Sequence, residues 1–258
     1  KYTYLKDSYA SIIESLCHAG GNLGCKINLR WIETSNIENN KNIGEVMKGI
    51  DGILVPGGFG SRGVEGKIEC IKYARENNIP FLGLCYGLQL AVVDYARNVC
   101  KIEDAHSTEV NENCKNPVIG IMESQKGVDK KGGTMRLGKY PAILKKNSRV
   151  FNLYNNEKIF ERHRHRYEVN NEYRAVLENN GLVFSGVSPN NMLIELLEIP
   201  THRFFVATQA HPEFKSRPLN PHPLFIGFLK ACLGDSKSNV GEKNIEIRKV
   251  PRIEFSVS

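Results

Sequence analysis

An apolar run that ends in a Gly-x-Cys-x-Gly turn is the feature that most constrains the fold of this chain. Residues 79–84 (IPFLGL) form the apolar run, Cys85 follows, and residues 87–98 have the apolar spacing of a helix. A strand that turns sharply into a helix between two glycines is a nucleophile elbow, here with cysteine in the position of the usual serine. Such an elbow belongs to sheets covered by helices.

The rest of the sequence predicts alternating strands and helices, and therefore an α/β fold with a mostly parallel sheet and helices on both faces. We expect helices over 8–18, 64–77 and 222–232, strands over 27–32, 51–55 and 117–122, an antiparallel pair over 192–199 and 204–209, and a flap or long hairpin over 123–140. Because such domains usually begin with a strand, we expect a first strand upstream of residue 1.

Composition and length narrow the class of protein. With 258 residues, of which 41% are hydrophobic and 24% charged, the chain is globular, and one large or two small domains are both open. It contains no apolar run long enough to span a bilayer, so we expect no membrane association. Residues 234–258 are polar and without pattern, so we expect a domain over 1–233 and a flexible tail after it.

Net charge and cysteine content indicate the cellular compartment of the chain and the kind of ligand it binds. The net charge of +7 is scattered among 28 acidic residues, which makes small anions plausible ligands, and we expect no nucleic-acid partner. The seven cysteines have irregular spacing and include no CxxC pair, which disfavours both a disulfide framework and a zinc site. A reducing, cytoplasmic setting is the simplest interpretation.

Cys85 is the candidate nucleophile, because the start of a helix favours the negative charge of a thiolate. A cysteine nucleophile needs a base, and the base needs a group that orients it. His211 and Glu213 follow the apolar segment 204–208 and are two residues apart, so in an extended segment they project to the same side. Spacing alone leaves open that His211 is a loop histidine without a partner.

Two glycine-rich segments follow the strand predicted at 51–55. Residues 56–60 (PGGFG) could direct backbone N–H groups toward an anion, as an oxyanion hole requires, although a plain turn has the same composition. Residues 61–68 (SRGVEGKI) imitate a P-loop, but serine replaces its first glycine and isoleucine its final hydroxyl residue. We therefore expect no ATP site in this segment.

Residues 161–167 (ERHRHRY) alternate basic side chains. In a strand, the three arginines would lie on one face and the two histidines on the other. The arginines could hold a carboxylate or a phosphate, or form a solvated surface. Two histidines without a third ligand do not make a metal site, so we expect no metal.

These motifs, taken together and in this order, resemble the class I (triad) glutamine amidotransferase family. PGGFG, GLCYGLQ and HPEF carry that resemblance, while GGTMRLG, ERHRHRYEVN and HPEFKSRP are similar to the glutaminase domain of the CTP synthase family. The resemblance extends from about residue 2 to residue 232. It implies a flavodoxin-like, Rossmann-type sheet.

The resemblance also implies a reaction and its residues. Cys85 would attack the carboxamide of L-glutamine to form a γ-glutamyl thioester, with His211 as base and acid and Glu213 orienting it. The N–H groups of Gly58 and Tyr86 would form the oxyanion hole. The implied glutamine-binding residues are Gly57, Gly58, Tyr86, Gly87, Leu88, Gln89, Glu109, Arg166 and Tyr167, with Arg166 on the substrate carboxylate and Glu109 on its ammonium.

For the parent protein, the resemblance implies a covalently linked synthetase domain, which is not within these 258 residues. That domain would use ATP and Mg²⁺ to aminate UTP to CTP in pyrimidine biosynthesis, within a cytoplasmic homotetramer, whereas the glutaminase step itself needs no cofactor. GTP would activate the enzyme, and Arg62, Thr134 and Arg136 are the positions expected to contact it. Two alternatives stay open: a stand-alone γ-glutamyl hydrolase or peptidase, and a catalytically silent, nucleotide-responsive assembly module.

Overall fold

The computed structural model describes residues 6–38, 42–121, 135–234 and 252–257. The helices are α1 (Ala10–Asn22), α2 (Thr34–Ile37), α3 (Ile43–Val46), α4 (Val64–Glu76), α5 (Tyr86–Asn98), α6 (Arg149–Tyr154), α7 (Arg174–Asn179) and α8 (Pro223–Leu233). The strands are β1 (Lys26–Trp31), β2 (Gly52–Val55), β3 (Phe81–Leu84), β4 (Ala105–Ser107), β5 (Asn116–Ile121), β6 (Arg136–Leu144), β7 (Lys158–His165), β8 (Tyr167–Val169), β9 (Val183–Val187), β10 (Ile194–Glu198), β11 (Phe205–Thr208) and β12 (Arg252–Val257).

Within these residues, nine strands form one sheet in the order β1-β12-β2-β3-β11-β10-β9-β6-β7. The half from β1 to β11 is parallel, and the half from β11 to β7 is antiparallel. Strands β4, β5 and β8 form a small second sheet. The carboxyl ends of β2 and β3 therefore lie side by side, which brings the two glycine-containing turns of the sequence together.

Helices cover both faces of the large sheet, because its central strands are buried on both sides. In β2, Ile53 and Val55 pack into a core with α4 and α5, whereas Leu54 packs with α1 and α8 on the opposite face. A continuous apolar run is what a doubly buried parallel strand requires. The predicted α/β fold is confirmed. In the described part of the chain, no helix combines the length and the apolar character needed to cross a bilayer.

The elements predicted from periodicity are confirmed to within a few residues at their ends. They comprise four helices, the four predicted parallel or edge strands, and the antiparallel pair β10–β11. Of the flap or long hairpin expected over 123–140, residues 136–140 form the start of β6, whose antiparallel partner β7 lies outside the predicted segment. Residues 122–134 lie outside the described residues.

The C-terminal strand β12 corrects one expectation. It lies inside the sheet between β1 and β2 and pairs in parallel with both. The prediction of a flexible tail over 234–258 is therefore wrong for residues 252–257. The segment (RIEFSV) alternates polar with β-branched or aromatic residues, which is a strand pattern, and its place satisfies backbone groups on two neighbouring strands. A further strand had been expected upstream of residue 1 instead.

Candidate active site

Cys85 stands at the turn between β3 and α5 with a backbone that few non-glycine residues adopt. Its φ is 50° and its ψ is −96°, a strained conformation of the kind that nucleophile elbows hold. The flanking glycines are required by packing. A Cβ on Gly87 would collide with the carbonyl of Val55, and one on Gly83 would lie 2.9 Å from Cβ of Ala207. The Gly-x-Cys-x-Gly frame thus lets strand, turn and helix approach closely.

The thiol of Cys85 is buried, with 4% of the residue exposed. Its backbone N–H donates to the carbonyl of Thr208 at 2.7 Å, which ties the turn to the end of β11. Nε2 of Gln209 lies 3.6 Å from Sγ, and Sγ lies 3.9 Å from the carbonyl oxygen of Arg164. Gln209 was not among the residues predicted from the sequence, although its place just before the HPEF motif was a usable signal.

His211 and Glu213 are brought together beside this thiol. Nδ1 of His211 lies 2.8 Å from Oε1 of Glu213, and the backbone N–H of His211 donates to the carbonyl of Arg162 at 2.8 Å. Burial disfavours a charged imidazole, but contacts with Cys85 and Glu213 outweigh burial and raise the pKa of His211 to about 10. The alternative of an unpartnered loop histidine is excluded by this geometry.

The glycine-rich loop at 56–60 lies against the same group. A Cβ on Gly57 would stand 2.7 Å from Cε1 of His211, so only glycine lets the loop come this close. The N–H of Gly60 donates to Oε1 of Glu109 at 3.0 Å, and the hydroxyl of Tyr86 donates to the Gly60 carbonyl at 2.7 Å. These bonds fix the loop beside the nucleophile.

A pocket of about 670 Å³ opens over Cys85 and His211. Seven of the predicted glutamine-binding residues line it, namely Gly57, Gly58, Tyr86, Gln89, Glu109, Arg166 and Tyr167. The two others are absent from its lining: Leu88 is fully buried in the core, and Gly87 packs against β2. That these two residues bind glutamine stays a prediction. In the structure both pack against neighbouring elements.

Gln89 connects the elbow helix to the far wall of the pocket. Its Nε2 donates to the carbonyl of Tyr167 at 3.0 Å and lies 3.4 Å from Oε1 of Gln209. Its own Oε1 is buried and has no hydrogen-bond partner among the described residues.

The alternation predicted for residues 161–167 is confirmed along β7. Arg162 and Arg164 are exposed, whereas His163 and His165 are buried. The strand ends at His165, so Arg166 leaves the arginine face and lines the pocket. In the part of the chain that the structure describes, no three His, Cys, Asp or Glu residues are placed to hold a metal ion.

The three positions predicted for GTP fall in different environments. The side chain of Arg62 is 52% exposed and lies 3.5 Å from Oε1 of Glu33. Thr134 lies outside the described residues. Arg136 is buried, bonds to Glu195 at 2.6 Å and covers the ring of Tyr140. Arg136 is the first residue of β6, and its guanidinium is occupied by these contacts within the protein.

Comparison with known proteins identifies the family. The profile described as "Glutamine amidotransferase class-I" matches residues 4–231. The chain belongs to the class I glutamine amidotransferase family, and is therefore an enzyme domain.

Within this family the chain is similar to CTP synthases. It is 56% identical over 241 residues to the CTP synthase of Methanocaldococcus jannaschii and 54% identical over 233 residues to that of Caldanaerobacter subterraneus. The alignments cover 91% and 90% of this chain but only 44% and 43% of those proteins. The chain thus spans less than half the length of the curated relatives it matches.

A solved structure agrees with this assignment. The glutaminase domain of Trypanosoma brucei CTPS with bound acivicin matches with a TM-score of 0.83 and 38% identity, over 90% of both chains. The resemblance inferred from PGGFG, GLCYGLQ and HPEF is confirmed.

Proposed function

We propose that this chain hydrolyses L-glutamine to glutamate and ammonia, and that it is the glutaminase part of a CTP synthase. The placement of His211 between Cys85 and Glu213, at the floor of a pocket of about 670 Å³, carries this proposal. The pocket combines a nucleophile, a base, and groups that can pair with both charges of an amino acid.

In the first half-reaction, the Cys85 thiolate attacks the carboxamide carbon and forms a tetrahedral intermediate. The N–H groups of Gly58 and Tyr86 would stabilise its oxyanion, because both residues line the pocket beside the thiol. The imidazolium of His211 gives its proton to the leaving nitrogen, the C–N bond breaks, and ammonia departs. A γ-glutamyl thioester on Cys85 remains.

In the second half-reaction, water attacks the thioester carbon. Neutral His211 takes one proton from that water, and Glu213 stabilises the imidazolium that forms. The C–S bond then breaks, which restores the Cys85 thiolate with protonated His211 and releases the γ-carboxylic acid, whose remaining proton passes to solvent to give glutamate. No redox step or metal is needed for this cycle to balance.

Charge complementarity supports glutamine as the substrate. Arg166 supplies a guanidinium that can bind the α-carboxylate, and Glu109 supplies a carboxylate for the α-ammonium. Gln89 adds a carboxamide to the residues that line the pocket. A free amino acid therefore has partners for all its polar groups.

The parent protein would use the ammonia in a second domain. Because the CTP synthases that match this chain are more than twice its length, we assign to the remainder the ATP- and Mg²⁺-dependent amination of UTP to CTP. GTP activation through Arg62, Thr134 and Arg136, a homotetramer and a cytoplasmic location belong to the same proposal.

Intact-mass spectrometry with acivicin, a glutamine-like electrophile, tests the glutaminase proposal. We expect one adduct on the full chain, none on Cys85→Ser, and slower labelling of His211→Ala. Cys17→Ser is the matched control, because Cys17 is an exposed free cysteine and its loss must leave the adduct intact.

Two other outcomes contradict the proposal. No adduct on a folded chain, with GTP present or absent, would favour the silent assembly module. Faster turnover of γ-glutamyl peptides than of free glutamine would favour the stand-alone hydrolase or peptidase.

A further inference from the structure

Five charged or titratable side chains are buried beneath the pocket wall, and we call them the buried polar cluster. They are Arg136 of β6, His163 and His165 of β7, Glu168 of β8 and Glu195 of β10, each at most 9% exposed. None takes part in the two half-reactions above. Buried groups of this kind are costly unless their charges and protons are matched.

The cluster closes into a ring of contacts. Oε1 of Glu195 accepts a hydrogen bond from Arg136 at 2.6 Å, and Oε2 of Glu195 lies 3.4 Å from Nε2 of His163. Nδ1 of His163 lies 3.0 Å from Nε2 of His165. Nδ1 of His165 lies 3.3 Å from Oε1 of Glu168, which is 3.7 Å from Arg136. The Arg136–Glu195 and His163–His165 contacts are hydrogen bonds, whereas Oε2 of Glu195 and both oxygens of Glu168 have no hydrogen-bond partner among the described residues.

Charge balance allows only one of the two carboxyl groups to be ionised. Arg136 carries one positive charge, and burial together with Arg136 lowers the pKa of His163 to about 2 and that of His165 to about 3. Both imidazoles are therefore neutral and cannot balance a second carboxylate. Glu195 is the ionised group, because it lies more than an ångström closer to Arg136 than Glu168 does.

Glu168 has the surroundings of a neutral acid. Among the described residues, no donor forms a hydrogen bond to either of its oxygens, although both are buried. An ionised carboxylate in that position would have only the guanidinium of Arg136, 3.7 Å away and already bonded to Glu195, to stabilise its charge. Burial first, and the charge of Glu195 second, raise the pKa of Glu168 well above its usual value.

The proton order around the ring follows from this assignment. Nε2–H of His163 points toward ionised Glu195, 3.4 Å from its Oε2, so Nδ1 of His163 accepts from Nε2–H of His165. Nδ1 of His165 then carries no proton, and protonated Glu168, 3.3 Å away, is placed to donate to it. The opposite order would let Nδ1–H of His165 donate to the Tyr167 carbonyl at 3.2 Å. That order turns the lone pair of His163 Nε2 toward ionised Glu195, and the repulsion between them opposes it.

We propose that Glu168 is held as a neutral carboxylic acid that donates a hydrogen bond to His165 and thereby positions the glutamine-binding wall of the pocket. His165 stands between Arg164, whose carbonyl lies 3.9 Å from the Cys85 thiol, and Arg166, which lines the pocket. Glu168 is thus a positioning residue. The effect of Glu168 on glutamine binding rests on the proposed function, whereas the location of the Glu168 proton does not.

Infrared spectroscopy of the full chain at neutral pH tests the proton directly. We expect a carboxylic-acid C=O band that Glu168→Gln removes. Glu161→Gln is the matched control, because Glu161 is an equally buried carboxyl on β7 whose pKa is lowered despite its burial, through bonds from His222 and Lys215. That substitution must leave the band. A band that survives Glu168→Gln overturns the proposal.

Kinetics test the positioning role. Glu168→Gln keeps a neutral donor and should leave the KM for glutamine within about threefold, whereas Glu168→Ala should raise KM about tenfold and change kcat less. Equal defects in both variants would mean that charge rather than donation matters, and would overturn the role. If the unsubstituted chain lacks glutaminase activity, the proposed function fails, and the infrared result still decides where the proton is.

Discussion

Nδ1 of His211 lies 2.8 Å from Oε1 of Glu213, two residues further along the same short turn. The second carboxylate oxygen of Glu213 is buried and has no hydrogen-bond partner among the described residues. The carboxyl group is therefore committed to His211 alone within this part of the chain. It fixes which imidazole nitrogen carries a proton and leaves Nε2 for Cys85.

Replacing Glu213 with glutamine should slow catalysis without weakening substrate binding. A neutral amide cannot stabilise the imidazolium, so we expect kcat to fall about a hundredfold while KM for glutamine changes little. Steady-state glutaminase kinetics measure both. Glu69→Gln, an exposed change on α4, is the control and should leave both constants unchanged. An unaltered kcat in Glu213→Gln would contradict the role.

Removing the thiol should change the titration of His211. Burial lowers the pKa of His211, and the Cys85 thiolate is the largest contribution that raises it, so Cys85→Ser should shift the pKa downward from about 10. NMR of the His211 ring as a function of pH measures this shift. Cys100→Ser, remote from the pocket, should leave the titration in place. An unchanged curve in Cys85→Ser would show that the two side chains are not paired.

The two buried histidines should each make the protein less stable as the pH falls, against the opposite contribution of Glu168, whose raised pKa stabilises the fold on acidification. Burial, and next Arg136, lower the pKa of His163 to about 2 and that of His165 to about 3, whereas in the unfolded chain both titrate near 6.5. The unfolded state therefore binds more protons below pH 6.5, and each histidine should cost about 1.4 kcal/mol of unfolding free energy per pH unit as the pH falls.

Urea unfolding between pH 7 and pH 5 measures this slope. His165→Gln should reduce the slope by about the contribution of one proton. His18→Gln, on α1 and outside the cluster, is the control and should keep it. A slope that His165→Gln leaves unaltered would refute a neutral, buried His165.

A side chain at Gly57 should interfere with the base. The Cβ of Gly57→Ala would stand 2.7 Å from Cε1 of His211, so we expect glutaminase kcat to fall at least about tenfold as the ring is displaced. Gly21→Ala is the matched control, since nothing lies within 4 Å of its new Cβ and a helical alanine should add up to about 1 kcal/mol of stability. Equal activity of both variants would count against a close approach of loop and base.

Residue spacing along the chain predicted those parts of the site that lie within a few consecutive residues. The elbow at Cys85, the pair His211 and Glu213, and the alternation along β7 each arise from spacings of one to four residues. A periodicity of two or 3.6 is visible in one sequence because backbone geometry imposes it directly.

The buried polar cluster could not be predicted in that way. Its members come from β6, β7, β8 and β10, and only the order of strands in the sheets brings them together. Arg136 was expected to contact GTP because of the family resemblance, and the sequence around it does not reveal its buried partners. Strand β12 was also missed, because its partners β1 and β2 lie far away in the chain.

The bond from the Gly60 N–H to Glu109 has a thermodynamic consequence. The carboxylate that fixes the glycine-rich loop is also the one proposed to receive the substrate ammonium. A ligand that binds the Glu109 carboxylate changes the free energy of the loop conformation. By linkage, any change that stabilises one conformation of the loop alters the affinity for that ligand by an equal factor. Occupancy of the pocket and the shape of the loop beside Cys85 are therefore a single coupled equilibrium.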